Sequence, residues 1–418
     1  MRFLLKENRI VKLSIVFSLL MIFLLGKIKQ SNRQIEGFVH EPSFSIGEDI
    51  VFSLIGNYEK SSTVRISSLT NDFDENIEIE SFQTSQQGNV LLKGVSGYYA
   101  NRFNSKDMGS GIYLINDTIP FVVKGPNLKS EIVVVYPYVN NLINTQWRGK
   151  TIGSETSTFT HLFRSNFIDE ISSEMKMFFE ELSDNYSVKY ISDIDLEYSM
   201  SIEDAELVIF YSNILYATSS MKNNLLNFIH SGGDVLMAST YFLNNVIWKD
   251  SKEPNIIVLN RDAKNKGVLT KERYGVSLWE VEGKYIDDYI GLSYAKGGFS
   301  KGNNGYEVVW QDSPLFKNLS MKRVPVHGYD FIGVDGERKD GSFYFNLPEN
   351  IRVRVHAYVS TMINGTSGIT GIMELQLSEE SGKILSLGTN LWFSDWNYGK
   401  SQDIRDVTDD AIAYLVGH

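Results

Sequence analysis

The chain has 418 residues, 42% hydrophobic and 12% aromatic, with a formal net charge of −11. That length predicts two domains plus extra segments, and the acidic balance argues against nucleic acid as a partner, which needs a basic face. With 0 cysteines, disulfides, thiolate metal sites, a cysteine nucleophile and a lipidated N-terminal cysteine are excluded, although the compartment is not fixed by that.

Residues 13–26, LSIVFSLLMIFLLG, are unbroken apolar or small. Arg2, Lys6, Arg9 and Lys12 precede them, and Lys27, Lys29 and Arg33 follow. If Lys12 and Lys27 snorkel, the span reaches about 19 residues, enough to cross a bilayer as a helix. No small-x-small cleavage site is evident after it, so the expectation for residues 1–30 is an uncleaved signal anchor rather than a cleaved signal peptide. The charge bias places the N-terminus inside, which makes the chain a single-pass membrane protein with its bulk extracytoplasmic.

Residues 36–125 read as an all-β module. Short apolar runs alternate with turn residues, as in FSIGEDIVFSL from Phe44, TVRI from Thr63, GSGIYLI from Gly109 and FVV from Phe121. Strands of this length and spacing predict a small immunoglobulin-like β-sandwich. It carries no visible chemistry, and its expected role is that of a spacer or docking module.

From Glu131 the pattern changes. Ile132 to Val135 is a continuous β-branched run, the signature of a strand buried on both faces. It stops at Tyr136-Pro137 and opens into a polar stretch, VNNLINTQWRGKTIG. Ile168, Ile171, Met175, Phe178, Phe179 and Leu182 then recur at helical spacing. LVIFY from Leu207 is a second buried strand. Ser219 to His230 is an amphipathic helix ending at Gly232-Gly233, a C-cap signal. Val235 to Ala238 is a third strand, and Ile384 to Gly388 a later one. The region from about 244 to 374 reads as strands, loops and small hairpins laid over the sheet. Ile404 to Val416 is a terminal helix. Strands alternating with helices predict an α/β domain over 131–418, a doubly wound, mainly parallel sheet.

Several standard sites fail on their residues. Gly149-Lys150-Thr151 imitates the end of a phosphate loop, but the required first glycine is Asn144. No H-E-x-x-H pair occurs. His230 ends a helix, where a cation suits the dipole. What remains is a polar set at predicted strand ends: Tyr136, Tyr138, Asn140 and Asn144; Ser212, Asn213 and Tyr216; Ser239, Thr240 and Tyr241; Asn390 and Trp392. In an open parallel sheet these converge on one crevice. Phenols, amides and carboxylates there can bind a sugar or hold a hard metal; the same residues also serve as plain packing with a polar tip.

The order of the motifs VVVYPYVNNLINTQWRGK and AELVIFYSNILYATSSMKNNLLNFIHSGGDVLMAST resembles the C-terminal half of the N,N-dimethylformamidase large (beta) subunit and its wider family. There a strand leads into N-x-W-x-x-Y-N-N-W-G-G-K, matched by residues 141–150, and a second strand leads into S-H-P-E-Y-W-S, matched by residues 212–218. The resemblance implies a sheet of the class I glutamine-amidotransferase type without its cysteine. It also implies cleavage of an amide C–N bond, with a mononuclear iron held by two tyrosines and a glutamate. On this resemblance the second-motif tyrosine falls on Tyr216 and the carboxylate on Asp288, which become the metal ligands. The first-motif tyrosine falls on Asn144, a departure that leaves Asn144 to hold or orient the substrate; Tyr138 is the nearest substitute phenol. The His and Glu of the second motif fall on Asn213 and Leu215. The resulting expectation is a membrane-anchored hydrolase of a small amide, with Asn144, Tyr216 and Asp288 carrying the site. The alternative is a non-catalytic cell-envelope protein whose crevice, with Trp392 and Trp396, binds a carbohydrate or a protein partner.

Overall fold

The computed structural model describes residues 36–55, 62–79, 101–126, 130–144, 146–147, 150–151, 156–158, 173–240, 242–249, 256–259, 290–299, 305–317, 319, 322–328, 330–363 and 366–417. Its first eight strands are β1 (Glu36–Val39), β2 (Ser43–Ser45), β3 (Asp49–Ile55), β4 (Ser62–Ser68), β5 (Asp74–Ile79), β6 (Asn101–Asn104), β7 (Gly111–Ile115) and β8 (Ile119–Lys124). They form two sheets, ordered β1-β3-β6 and β2-β8-β7-β4-β5. Period-two patterning explains the pairing. In β3, Ile50, Phe52 and Leu54 are buried, and in β4 so are Val64 and Ile66, while Thr63 and Arg65 face solvent. Phe44 meets Phe121 edge-on, and Tyr113 stacks on Phe121 at 5.5 Å between centroids.

The next elements are β9 (Ile132–Tyr136), helix α1 (Tyr138–Asn144), β10 (Gln146–Trp147), β11 (Lys150–Thr151), β12 (Thr156–Thr158), helix α2 (Ser173–Asn185) and β13 (Val188–Ser192). After a short helical turn, Asp193–Glu197, come β14 (Leu207–Phe210), β15 (Ile214–Ala217), helix α3 (Ser219–His230), β16 (Asp234–Met237), β17 (Phe242–Lys249) and β18 (Ile256–Leu259). The rest comprises α4 (Tyr294–Gly297), β19 (Gly298–Phe299), β20 (Tyr306–Val308), β21 (Arg323–Val324), β22 (Asp330–Lys339), β23 (Ser342–Phe345), β24 (Arg352–Ile363), β25 (Thr366–Gln376), β26 (Lys383–Ser386) and α5 (Gln402–Val416).

The main sheet corrects the expected doubly wound, mainly parallel fold. Neighbours β13-β9-β14-β16-β26 are parallel. Beyond β26 the sheet continues antiparallel through β25, β24, β20 and β21, with β22, β23 and β19 branching from β25. The described residues are thus mostly β-sheet, in several mixed sheets, and a glutamine-amidotransferase type of sheet is not what they form. The physical reason lies in the long β24–β25 hairpin. Its first strand, RVRVHAYVSTMI, alternates charged and apolar residues, the pattern of an antiparallel strand with one face in water.

The anchor is corrected as well. No helix among the described residues is long and apolar enough to cross a membrane, and residues 13–26 lie outside the described set. The single-pass membrane localisation, and the extracytoplasmic placement that rested on it, therefore have no support.

Helices α2, α3 and α5 cover the sheet. In α2, Phe178 packs on Phe393 at 4.3 Å and Phe179 edge-on to Tyr211 at 5.2 Å. Thr218 caps α3 by accepting from the Met221 N–H at 3.2 Å, and Gly232 ends it in the left-handed region at φ +96°. Trp392 is fully buried, and its indole N–H donates to Thr408 Oγ1 of α5 at 2.9 Å.

Strand β13 forms one edge of the main sheet. An open edge exposes unpaired backbone groups, and here the N-terminal module supplies partners. Ser110 Oγ accepts from the Tyr190 N–H at 3.0 Å. Asp195 of the following turn accepts from Ser43 Oγ at 2.8 Å and from Lys124 Nζ at 3.1 Å.

At the opposite side, a bulge between Val355 and Ala357 turns His356 inward, where Nδ1 lies 2.7 Å from Ser313 Oγ. Gly371, paired with Tyr358 just past the bulge, has φ +144°, and a Cβ there would lie 2.1 Å from the Ala357 carbonyl oxygen. Backbone cannot yield as a side-chain tip can. The substitution Gly371→Ala is therefore expected to cost about 1–3 kcal/mol, read from the denaturant midpoint; an unchanged midpoint would show that the bulge has room to spare.

Candidate functional site

The carboxyl ends of β9, β14 and β16 lie side by side in the sheet. The chain leaves β9 through Pro137 into α1, so the stretch expected as a polar loop begins as a helix. No acidic residue occupies its first turn. The carboxylate comes from elsewhere: both oxygens of Asp193 accept from the Val139 N–H, at 3.1 and 3.0 Å. The Ile194 N–H at 2.9 Å and Ser192 Oγ at 3.2 Å complete the cradle. Asp193 is fully buried, and burial pushes its carboxyl up to about 7 although these donors pull it down.

Helix α1 carries Tyr138, Asn140 and Asn144. Tyr138 is fully buried. Burial holds its phenol well above the ordinary range, and the nearby Tyr136 and Asp193 charges push the same way. That burial favours the neutral phenol at Tyr138. Tyr136 Oη accepts from Asn141 Nδ2 at 3.2 Å. Asn140 is buried, and its Oδ1 has no hydrogen-bond partner among the described residues. Asn144 closes the helix as its last residue; its side chain is outside the described set.

The other two strand ends feed a second, small sheet ordered β12-β18-β17-β15. Strand β14 continues into β15 and β16 into β17, and these run parallel with Ile214 opposite Phe242 and Tyr216 opposite Asn245. Tyr216 thus sits half-buried on a strand beyond the end of the main sheet. The register shifts between Ile214 and Tyr216, and the buried Leu243 beside it adopts φ +50°. A left-handed leucine is costly, and such strain is concentrated near functional sites.

One side chain joins the two strand exits. Asn213 Oδ1 accepts from the Thr240 N–H at 2.8 Å, from Thr240 Oγ1 at 3.1 Å and from Ser239 Oγ at 3.3 Å. Asn213 stands where the resemblance expects a histidine, and its oxygen here has a structural task. Sequence reasoning gathered Asn213, Ser239 and Thr240 as site residues, and the structure does bring them together.

Other expected residues go elsewhere. Trp392 is core, under α5. Asn390 is half-buried, and Tyr241, Asp288 and the Trp396 side chain lie outside the described residues. Gln146 pairs with Thr151 and Trp147 with Lys150 in antiparallel register, so Lys150 belongs to a strand pair, unlike a phosphate-loop lysine at a helix start. Asp193 was missed. The signal was present: Ser192-Asp193-Ile194-Asp195 after a strand has the S-x-x-D spacing of a capping box, and Asp195 Oδ2 does accept from the Ser192 N–H at 2.9 Å.

Among the described residues no group of three His, Cys, Asp or Glu could hold a metal ion. Of the three positions that the resemblance assigns, only Tyr216 has a described side chain, so the described residues do not make a complete iron site.

The family model described as N,N-dimethylformamidase beta subunit-like, C-terminal, matches residues 72–403. The chain belongs to that family. The match begins just before β5 and runs through the main sheet to the start of α5. No curated protein matches the chain. A solved structure described as the mmIFT52 N-terminal domain is similar over 68% of this chain and 97% of that one, at 11% identity and a TM-score of 0.32. A likeness at that level carries no argument about this dimethylformamidase-like chain.

The Asp193 carboxyl gives the first test of the site. Its folded value, about 7, lies above the unfolded 3.8, so folding takes up a proton between those values. The stabilising contribution is complete below the unfolded pKa and is lost as pH rises through the folded one. The stability difference between the wild type and Asp193→Asn should therefore shift in the wild type's favour as pH falls from about 7 to about 4, with a slope of at most about 1.4 kcal/mol per pH unit. Urea unfolding of both proteins across that range measures it; a flat difference would mean that the buried carboxyl titrates normally.

Proposed function

We propose that the chain is a dimethylformamidase-like hydrolase of a small amide C–N bond, acting beyond the carboxyl ends of β9, β14 and β16. The observation that carries this reading is Tyr216. It lies half-buried on β15, within the family match, and the sequence resemblance assigns it the tyrosine of the family's second motif. Asn144, at the end of α1, is the candidate for orienting the amide. Asp288 is the candidate carboxylate and, with Tyr216, would hold an iron ion. Bound there, iron would supply Lewis acidity to the amide carbonyl and lower the pKa of a water. The chain's own part is to bury the wall behind the substrate with Tyr136 and Tyr138, to keep the strand exits together through Asn213, and to hold α1 through Asp193.

One observation favours a second reading, in which the family member binds an amide- or sugar-like ligand without turning it over. Asn213 occupies the histidine position and its oxygen already takes three donors, so no side chain there can carry a proton.

A single set of measurements separates the readings. The purified full chain is analysed for bound metal, and amine release from N,N-dimethylformamide and formamide is followed in the wild type and in Tyr216→Phe. Under the hydrolase reading the wild type holds iron and releases amine, and Tyr216→Phe loses both while remaining folded. A folded, iron-loaded wild type that releases no amine from either substrate sinks the hydrolase reading and leaves the binding one.

A further inference from the structure

The N-terminal module has no assigned task in the chemistry, yet it is built into the wall of the site. The two acidic residues of the turn Asp193–Glu197 face opposite ways. Asp193 accepts the Val139 N–H at the start of α1. Two residues on, Asp195 is 5% exposed and accepts from Ser43 Oγ and Lys124 Nζ of the module. Its second oxygen takes the Ser192 N–H, the last backbone donor of β13 before the turn. The same turn reaches α3, where Asn224 Nδ2 donates to the Leu196 carbonyl at 2.9 Å. Lys189, 6% exposed, interacts electrostatically with Asp195 and donates to the Ser201 carbonyl at 3.4 Å.

We infer that the module positions α1: docking of Ser43 and Lys124 on Asp195 fixes the turn, and the turn presents Asp193 to the helix. Asp195 is thus a positioning residue for the candidate site, acting at a distance through a rigid turn rather than by touching a ligand. The mechanics follow from burial. A buried carboxylate with three specific donors has one stable orientation, because losing any donor leaves an unpaired charge. A turn of five residues held at both carboxylates cannot shift one without the other. The inference stands whichever ligand the site takes.

Hydrogen exchange on the full chain, read by mass spectrometry, tests it without a ligand. In Asp195→Asn and in Lys124→Met, peptides covering α1 should exchange on the order of tenfold faster than in the wild type, while peptides of β24 and β25 keep their protection. Lys124→Arg, which retains the ion pair, should leave α1 as in the wild type. Gly371→Ala, a remote destabilising variant, serves as the control for general loosening and should leave α1 protected. If Asp195→Asn does not fold, Ser43→Ala and Lys124→Met carry the comparison. Unchanged α1 exchange in the folded variants overturns the inference, whether or not the peptides carrying Ser43 and Lys124 loosen. So does an equal acceleration of α1 in Gly371→Ala.

Discussion

A single buried carboxylate sets the geometry of this site. Asp193 has no exposure to water, and removing an ionised carboxyl from water is costly unless donors surround it. The donors it finds are backbone N–H groups of its own turn and of Val139, at the start of a helix whose own first turn has no acidic residue. The helix and the carboxylate need each other: α1 is too short to be stable alone, and Asp193 cannot be buried without it. Everything that α1 carries, including Tyr138, Asn140 and Asn144, takes its position from that contact. Burial also brings the pKa of this carboxyl up to about 7.

Around this wall the sheet arranges the rest. Parallel strands put their exits on one side, which is why Asn213 and Thr240 meet although they are far apart in sequence. The antiparallel extension from β25 to β21 does not contribute exits there; it broadens the sheet and carries its own buried polar cluster. In that cluster burial brings the His356 ring down to about 3, so it stays neutral, with Nδ1 against Ser313 and Nε2 3.9 Å from Glu374. Tyr414 of α5 donates to the same glutamate at 2.7 Å. This second network reads as the seat of the C-terminal helix on the sheet. The N-terminal module closes the edge strand β13 beside these exits.

Legibility in the sequence tracked how local the cause was. Helix α3 was readable to the residue, because Thr218 and Gly232 cap it from within. Strands β9, β14 and β16 were readable because continuous β-branched or aliphatic runs have few other uses. The membrane segment and the doubly wound fold are both expectations that the described residues do not support, for different reasons. The first rested on an apolar run and its flanking charges, and those residues lie outside the described set. The second extended the parallel pattern past β26, although RVRVHAYVSTMI alternates in the manner of an antiparallel strand. Helix α1 was hidden because its cap lies 54 residues downstream of Val139, beyond the reach of any window. Trp392 was placed at the site by its position after a strand; only α5, folding back with Thr408, reveals it as core. The site roles of Asn144 and Asp288 rested on resemblance, and the described side chains add only Tyr216 to it.

The claim on which the rest turns is that the ligand meets the chain at the joined exits of β9, β14 and β16. It is tested most directly by titrating N,N-dimethylformamide into the full chain and following backbone amide shifts by NMR. The expected result is a saturable set of shifts centred on Asn140, Asn213, Tyr216 and Thr240, with the strands of the N-terminal module unmoved. Shifts confined to the β22–β23 arm or to the α5 seat, or no saturable shift at all, would contradict it.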